Sequence, residues 1–392
     1  MDRTDETLIP PQTTWLSDPD AQKVCAAVSS GGGRVYFVGG CVRDALLGKD
    51  GGDTDLSTDV LPEEVMRLAK DAGLRAVPTG IDHGTVTVVS GGLGFEVTTF
   101  RRDVETDGRR AVVSFSTDIA EDARRRDFTM NALYATPDGR VVDPLGGLPD
   151  CLARRIRFIE DPDRRIQEDY LRILRFFRFH AWYAPATAGF DPDALSAIAG
   201  NTDGLETLSA ERVGHEVLRL LHAPDPAPAV AVMRQTGVLG RILPGADDRF
   251  LAPAIHLEAQ MGLAPDPLLR LAVLGGTDVP DRLRLSRKHA RTLSDMSDAA
   301  WNGAPAGALG WEFGAEIAMA ALIQRGAVAG FEPDADEIAA VARGAGAVFP
   351  VTAKDLMPAL QGPALGRALK DLKARWIASD FSLTRDELLA PE

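Results

Sequence analysis

Residues 39–55 read GGCVRDALLGKDGGDTD, and the start of this stretch predicts the local fold. The apolar run Val35–Val38 before it is typical of a short strand, a glycine pair interrupts the pattern, and Val42–Leu47 resumes it with helical spacing. This order predicts a strand, a tight turn and a helix. Glycines let backbone amides approach an anion at a helix N-terminus, and Arg43 can add charge-assisted hydrogen bonds to phosphate oxygens. The turn is therefore a candidate triphosphate site.

Two carboxylates follow at the end of the same stretch. Asp53 and Asp55 are separated by one residue, so on an extended segment both side chains face the same side of a sheet. Such a pair suits Mg²⁺, which takes oxygen ligands and often shares them with substrate phosphates. A glycine pair is often only a turn, and Asp-x-Asp is often only a solvated loop. Their closeness in the chain favours a joint phosphate and metal site.

Composition sets the broad class. The 392 residues, 45% of them hydrophobic, can bury a sizeable core and predict roughly two to four domains. No apolar run approaches the ~20 residues that span a bilayer, and the N-terminal sequence is polar and acidic, unlike a signal peptide. Cys25, Cys41 and Cys151 are scattered and form no CxxC pair, so neither disulfides nor a zinc site are indicated. We expect a cytoplasmic protein with no membrane partner.

The charge distribution limits how nucleic acid could be bound. The formal net charge of −14 argues against nonspecific coating of nucleic acid, which needs many cations to neutralise phosphates. Residues 101–180 nevertheless hold 16 Lys or Arg against 15 Asp or Glu, a net of +1, so the remaining chain carries −15. A locally basic cleft on an acidic protein would hold a nucleic acid at one defined place.

The pattern of apolar residues divides the chain into two parts. Up to about residue 145, helical stretches alternate with short β-rich runs, which predicts an α+β domain. The predicted strands are Arg34–Val38, Thr85–Val89, Phe95–Phe100, Val112–Phe115 and Ala132–Ala135. From Leu152 onward helical spacing dominates, and proline-containing breaks near 224–228, 264–267 and 302–305 separate helical groups. The Ala- and Gly-rich stretch 303–350 predicts close helix packing.

Further charged residues lie in the α+β part. Alternation along Phe95–Arg101 turns Glu96 to the same face as Thr98, where it could add a third carboxylate to the metal site. The stretch Arg102–Arg110 is highly charged and has no apolar periodicity, so we expect a mobile loop. Three consecutive arginines end at Arg126. They could be a solvated charge run, or Arg126 could bind phosphate oxygens through its forked guanidinium group.

A second constellation lies at Glu168–Phe179, for which the spacing predicts one helix. Asp169, Arg172, Arg175 and Arg178 recur every three residues and would form a slowly winding stripe on it. The Asp–Arg pair could be a surface ion pair worth roughly a few tenths of a kcal/mol. It could also read a nucleobase, because the carboxylate only accepts and the guanidinium only donates hydrogen bonds. Cytosine and adenine match that edge, whereas uracil and guanine present the opposite pattern.

The motifs GGxVRD, DxD, RRDFTxNA and EDxxR, in that order over about residues 36–180, resemble those of the class II tRNA nucleotidyltransferases. These are the CCA-adding enzymes, which are related to bacterial poly(A) polymerases, and Leu208–Val213 is similar to the family's further S-x-E-R element. The resemblance implies an α+β nucleotidyltransferase head, a small sheet with helices, followed by all-α neck, body and tail domains. The expected domains are the head 1–148, the neck 149–222, the body 223–304 and a tRNA-binding tail 305–392.

The resemblance also implies roles for individual residues. Gly40 and Arg43 would contact the nucleotide, and Asp53 and Asp55 would bind Mg²⁺, with Glu96 as a third catalytic carboxylate. Arg126, Arg175 and Arg178 would hold the triphosphate or sugar, while Asp169 and Arg172 would form the protein template for the incoming base. The implied reaction is attack by the 3′-hydroxyl of tRNA on the α-phosphate of CTP or ATP, which adds C, C and A and releases pyrophosphate. Metal ions would lower the hydroxyl pKa, so no histidine base is needed.

Alternatives within and outside the family remain open at this point. Poly(A) polymerases share the head, and enzymes that add only CC or only A are close relatives; the charged segment Asp103–Arg110 favours complete CCA addition. A noncatalytic tRNA-binding protein would not need intact Arg43, Asp53 and Asp55. A toxin or antibiotic nucleotidyltransferase would not need the template-like helix. None of the six histidines precedes an aspartate, so a fused phosphohydrolase is not indicated. The sequence is compatible with a monomer or a homodimer.

Overall fold

The computed structural model describes residues 7–49, 51–103 and 113–390. Contacts divide the chain after Asn201 into two compact units. Strands occur only in the first unit of the described chain, and the second unit is helical. The predicted α+β head followed by an all-helical remainder is therefore confirmed, while the finer division into four domains stays a prediction. No helix among the described residues combines the length and the apolarity needed to cross a membrane.

A mixed sheet of seven strands forms the centre of the described first unit. Two further strands form a separate ribbon. The sheet strands are β1 Val35–Val38, β2 Asp55–Thr58, β3 Arg75–Gly80, β4 Thr85–Ser90, β5 Leu93–Thr99, β8 Tyr134–Ala135 and β9 Val141–Val142, and the ribbon strands are β6 Arg101–Asp103 and β7 Val113–Phe115. The order in the sheet is β3-β4-β5-β2-β1-β8-β9. Strands β2 and β5 run parallel, and the other neighbours are antiparallel.

Helices flank this sheet and continue to the end of the unit. They are α1 Thr14–Ser17, α2 Pro19–Ser29, α3 Gly40–Leu46, α4 Pro62–Asp71, α5 Ile119–Arg124, α6 Leu148–Leu152, α7 Pro162–Glu168, α8 Leu171–Tyr183 and α9 Pro192–Gly200. Short 3-10 turns lie at Ile81–His83 and Thr129–Asn131. A buried cluster that includes Val38, Phe100 and Tyr134 packs one region of the sheet against neighbouring segments.

The second unit begins with a 3-10 turn at Thr202–Thr207 and then consists of packed helices. They are α10 Ala210–Leu221, α11 Ala227–Gln235, α12 Val238–Ile242, α13 Leu251–Gln260, α14 Pro267–Leu274, α15 Val279–Arg282, α16 Arg287–Trp301, α17 Ala306–Phe313, α18 Ala315–Ala329, α19 Ala335–Gly346, α20 Ala353–Leu356, α21 Gly362–Ala378 and α22 Arg385–Leu389. The predicted break 302–305 lies between α16 and α17, while the predicted breaks 224–228 and 264–267 extend into the first residues of α11 and α14.

Each predicted strand has a counterpart in the structure, although the sequence pattern missed other strands that the structure contains. Strands β2, β3, β6 and β9 have short or polar sequences whose alternation is too weak to identify them alone. The predicted loop Arg102–Arg110 is wrong at its start, because Arg102 and Asp103 pair with β7. Its remaining residues, and Val112 of the predicted strand Val112–Phe115, lie outside the described residues.

The Ala- and Gly-rich stretch packs its helices closely, as expected. A Cβ atom on Gly344 of α19 would lie 2.0 Å from the backbone oxygen of Gly307 in α17, and one on Gly310 would lie 2.2 Å from that of Val341. Both distances are too short for real atoms, so the two helix backbones can touch only where glycine stands. Small residues here are a packing requirement rather than a functional signal.

We expect Gly344→Ala to destabilise the second unit by about 1–3 kcal/mol, because the methyl group must push two helix backbones apart. Gly346→Ala in the same helix is the matched control, since a Cβ there meets nothing within 4 Å. Urea unfolding of the full chain measures both variants. Equal midpoints for the two variants would contradict the packing account.

Candidate active site

The turn after β1 is built as the sequence predicts. Gly39 has a φ of +73°, a conformation that favours glycine, and it stands at the N-cap of α3. A Cβ there would lie 3.0 Å from Nη1 of Arg126. The Arg43 amide donates to the Gly39 carbonyl over 3.0 Å, which closes the first turn that Gly40 opens. The strand, turn and helix thus bring a helix N-terminus beside the guanidinium of Arg126.

Arg43 is buried, and protein groups hold its guanidinium. Its Nη1 donates to Oδ1 of Asn131 over 2.6 Å, and its Nη2 donates to the Tyr183 hydroxyl over 2.6 Å. Nε and Nη2 also bind the Asp44 carboxylate over 2.9 and 2.8 Å. The guanidinium lies 4.3 Å from the centre of the Tyr183 ring. Arg43 therefore links α3 to α8, in addition to its expected role of contacting the nucleotide.

The polar contacts continue from Asn131 to the second constellation. The side-chain amide Nδ2 of Asn131 donates to Oδ1 of Asp127 over 2.9 Å, and Nε of Arg175 donates to Oδ2 of Asp127 over 2.8 Å. Burial alone would raise the pKa of Asp127, but Arg175 and Asn131 outweigh burial and hold that pKa below its ordinary value. An unbroken series of contacts therefore joins Arg43, Asn131, Asp127 and Arg175.

Arg126 is oriented by a second buried carboxylate. Its Nη2 lies 3.3 Å from Oδ2 of Asp122, and its Nε donates to the Tyr134 hydroxyl over 3.3 Å. Tyr134 in turn donates to Asp122 over 2.8 Å. Asp122 also accepts from the Arg101 amide over 3.3 Å, at the first residue of β6. Asp122 and Tyr134 thus position the arginine that faces the helix N-terminus.

The three expected carboxylates lie close enough for the charges of Glu96 and Asp53 to act on Asp55. Asp55 is the first residue of β2 and pairs in parallel register with Glu96 of β5, while Asp53 precedes it by two residues. Among the described residues, no hydrogen bond or ion pair reaches any of these three side chains. Asp55 reaches solvent, but its pKa is raised to about 6. The largest cause is burial by nearby protein, followed by the negative charge of Glu96 and, more weakly, that of Asp53. The positive charge of Arg126 opposes the rise.

This arrangement fits a cation. Negative charges that lack protein partners and repel one another are stabilised when a divalent ion lies between them. In the described chain, no three Asp, Glu, His or Cys side chains are close enough to hold a metal without other ligands. Asp53 and Asp55 would thus supply part of a coordination shell, and substrate phosphate oxygens would supply more, as is usual for Mg²⁺. Glu96 contributes to the field at Asp55, and its role as a metal ligand stays a prediction.

The predicted single helix over Glu168–Phe179 is wrong at its start. Helix α7 ends at Glu168, and Asp169 is extended, with φ −157° and ψ 103°. Its Oδ1 accepts from the backbone amide of Leu171, the first residue of α8, over 3.1 Å. A short acidic side chain competes for backbone amides in this way, and helical spacing cannot reveal it. The arginine stripe therefore begins at Arg172, and Asp169 lies in the break before it.

Arg172 is fixed beside that break. Its Nη1 donates to Glu168 and to the Arg165 carbonyl, both over 2.7 Å, and its Nη2 donates to the Arg125 carbonyl over 3.0 Å. Arg165 donates to the carbonyls of Arg125 and Arg126 over 2.7 and 2.5 Å. Arg172, one of the two expected base-reading residues, is thus anchored to the segment that carries Arg126, an expected phosphate ligand.

Three arginines meet at one aromatic ring. The guanidinium carbons of Arg43, Arg175 and Arg178 lie 5.2, 5.4 and 4.6 Å from the centre of the buried Phe179 ring. Phe179 keeps these cations near one another, which suits a polyanion such as a triphosphate. Arg178 itself is buried. An arginine cluster of this kind is the arrangement expected of the triphosphate side of the site.

Sequence reasoning missed the residues that position the site. Asn131 and Asp127 belong to the RRDFTxNA motif, which marked them without showing their partners. Phe179 and Tyr183 carried no usable signal, because an aromatic residue at helical spacing usually belongs to the core. Asp122 lies only four residues before Arg126, but it also accepts from the Tyr134 hydroxyl and from the Arg101 backbone amide. These partners come from other segments, so only the folded chain shows its role.

Comparison with known proteins agrees with this geometry. Residues 35–157 match the family model for the Poly A polymerase head domain, and residues 189–250 match that for a probable RNA and SrmB-binding site of polymerase A. The mitochondrial CCA tRNA nucleotidyltransferase 1 of Danio rerio is 32% identical over 90% of this chain and 86% of its own length. The CCA-adding enzyme of Levilactobacillus brevis is 37% identical over 63% of this chain and 61% of that protein.

Solved structures give the same result. The Bacillus stearothermophilus CCA-adding enzyme in complex with CTP superposes with a TM-score of 0.73 and 29% identity, covering 92% of this chain and 93% of that one. The Thermotoga maritima CCA-adding enzyme complexed with tRNA_CCA has the same fold, with a TM-score of 0.70 at 18% identity and 96% coverage of both chains. The cytoplasmic location stays a prediction, since the Danio rerio relative is mitochondrial. Because the Danio rerio enzyme is 32% identical to this chain and is matched over 86% of its own length, the chain belongs to the family of CCA tRNA nucleotidyltransferases, the CCA-adding enzymes.

Proposed function

We propose that this protein adds C, C and A in turn to the 3′ end of tRNA, using CTP and ATP and releasing pyrophosphate. The observation that carries the proposal is a juxtaposition within the first unit. The segment 125–127 contacts Arg172 and Arg175 of α8, and Arg126 acts on the carboxylate of Asp55. A nucleotide could therefore meet catalytic carboxylates, phosphate-binding arginines and a base-reading edge at once.

The metal is proposed to be Mg²⁺, held by Asp53 and Asp55. When bound, it would lower the pKa of the tRNA 3′-hydroxyl and neutralise charge on the nucleotide phosphates. The protein's own part is to present two neighbouring carboxylates to which no described residue makes a hydrogen bond or an ion pair. Glu96 strengthens the negative field from the neighbouring strand.

The triphosphate would lie between the N-terminus of α3 and the arginine cluster. The turn at Gly39 and Gly40 offers backbone amides, and Arg126 lies directly against that turn. Arg175 and Arg178 bring further positive charge to the same ring of Phe179. Because Asp127 and Phe179 already orient these cations, little side-chain entropy is lost when a nucleotide binds.

The base would be chosen at the break between α7 and α8. Asp169 presents an acceptor and Arg172 presents donors, which complements the amino group and ring nitrogen of cytosine or adenine. Uracil and guanine would place an acceptor opposite the Asp169 acceptor and a donor opposite the Arg172 donors. The polar groups left unpaired would cost binding free energy. Glu168 keeps the Arg172 guanidinium in place, so the reading edge exists before the base arrives.

The function is tested by incubating purified protein with tRNA that lacks its 3′ end, Mg²⁺ and CTP, ATP or both, and sequencing the products. We expect ends that read CCA, and we expect Asp53→Ala to abolish the addition of every nucleotide because the metal serves all steps. Asp82→Asn, an exposed carboxylate of the same unit, is the control and should retain activity. Long A tracts would overturn the proposal in favour of a poly(A) polymerase.

A pH experiment tests the carboxylate site without catalysis. The pKa of Asp55 in the folded protein, about 6, lies above its ordinary value of 3.8, so the folded state binds the proton more tightly than the unfolded state. Without Mg²⁺, this carboxylate therefore lowers stability as pH rises through about 4 to 6, and the loss persists at higher pH. We expect Asp55→Asn to melt at a higher temperature than the parent at pH 8 and at the same temperature below pH 4.

Added Mg²⁺ should reverse that order at pH 8, since it stabilises only the protein that keeps the carboxylate. Asp82→Asn again serves as the control and should follow the parent throughout. Parent and Asp55→Asn curves that coincide at every pH would contradict the crowding of carboxylates at this site.

A further inference from the structure

A buried arginine lies in α7, one turn before the break that carries Asp169. The side chain of this residue, Arg165, is only 4% exposed, which leaves almost no surface for a nucleotide to touch. A buried cation is stable only when acceptors surround it. Arg165 therefore acts through the protein groups that accept its hydrogen bonds.

The acceptors of Arg165 come from two separate segments. Its Nη1 forms an ion pair with the Glu168 carboxylate at the end of α7. Its Nη2 donates to the backbone carbonyls of Arg125 and Arg126 over 2.7 and 2.5 Å. Arg125 is the C-cap residue of α5, where a helix leaves carbonyls without amide partners. Arg165 thereby joins the end of α7 to the segment that carries Arg126.

Arg172, at the start of α8, uses the same acceptors. Its Nη1 donates to the Oε2 atom of Glu168 that Arg165 also binds, and its Nη2 donates to the same Arg125 carbonyl. Its Nη1 donates in addition to the backbone carbonyl of Arg165 over 2.7 Å. Two guanidinium groups thus share one carboxylate oxygen and one carbonyl oxygen. The acceptors that place Arg172 are therefore the ones that Arg165 holds.

This sharing also limits how far Glu168 neutralises Arg172. A carboxylate carries a single negative charge, and here Arg165 and Arg172 divide it. The bonds of Arg172 use both N–H groups of Nη1 and one of Nη2, so within the described chain the Nε–H and the second Nη2–H are left for a base. Without Arg165, we expect Glu168 to draw more of these donors away from a base.

We propose that Arg165 is a positioning residue for base selection. It fixes Glu168 and the segment 125–126, and through them it holds the Arg172 guanidinium where it can read the incoming base. The same bonds join Arg172 to the segment of Arg126, so the base and the triphosphate would be held at one fixed separation. The proposal rests on the proposed function for the identity of the nucleotides, CTP and ATP.

The test measures the ratio of CTP to UTP incorporation into tRNA that lacks its 3′ end for Arg165→Met, which keeps the side-chain length and removes the charge and the donors. We expect the ratio to fall by about 5- to 20-fold, as for groups in direct contact, mainly through a higher KM for CTP. Both rates come from one preparation, so a loss of folded protein cancels in the ratio. Arg165→Lys can bind Glu168 but cannot bridge both segments, and it should give an intermediate ratio.

A double-mutant cycle shows whether Arg165 acts through Arg172. When Arg165→Met is added to Arg172→Ala, the ratio should fall by less than about 2-fold further, because the residue that Arg165 positions is gone. Arg164→Met is the matched control. Arg164 lies 3.5 Å from Oε1 of the same Glu168 but is 72% exposed, so this variant should keep the parent's ratio.

Three results would each overturn the proposal: a parental ratio in Arg165→Met, an equal fall in Arg164→Met, or effects that multiply in full in the double variant. A parent that incorporates neither C nor A would instead refute the proposed function. In that event, equilibrium binding of CTP and UTP without tRNA replaces incorporation, and the same cycle decides whether Arg165 acts through Arg172.

Discussion

The contact between Asp127 and Arg175 is the constraint on which the site depends. A buried carboxylate requires a cation, and here the cation comes from α8 while the carboxylate belongs to the segment after α5. Asn131 extends the same contact to Arg43 on α3. The helix that follows the glycine turn, the RRDFTxNA segment and α8 are thereby held in one arrangement. Removal of any partner would leave a buried polar group without a hydrogen bond, which is costly.

This arrangement supports a division of labour. Asp53 and Asp55, just before β2 and at its start, would act on any nucleotide, because metal and phosphate chemistry is the same for each. Asp169 and Arg172 lie at a helix break and would distinguish one base from another. The segment 125–127 contacts Arg172 and Arg175, and the charge of Arg126 acts on Asp55, so this segment links the two sets.

Much of this could be predicted from the sequence, and the failures have physical causes. The strand, turn and helix around Gly39 follow from local apolar spacing and glycine, and ordered motifs identified the family. The predicted helix is wrong at Asp169, because this extended residue binds the first backbone amide of α8 and so interrupts a pattern that spacing alone shows as continuous. Arg43 is expected to contact the nucleotide, and the sequence did not reveal that long-range partners such as Asn131 and Tyr183 also hold it. Such contacts between distant segments exist only after folding.

The most direct test of the central claim is the choice of base by Arg172→Ala, measured as the ratio of CTP to UTP incorporation into tRNA that lacks its 3′ end. Loss of a charge-assisted hydrogen bond worth ~1.5–3 kcal/mol predicts a fall of about 10- to 100-fold in that ratio, with a smaller effect on the rate of addition itself. Arg164→Ala is the matched control, because Arg164 lies 3.5 Å from the same Glu168 but is exposed. A ratio in Arg172→Ala equal to that of the parent and of the control would contradict the account.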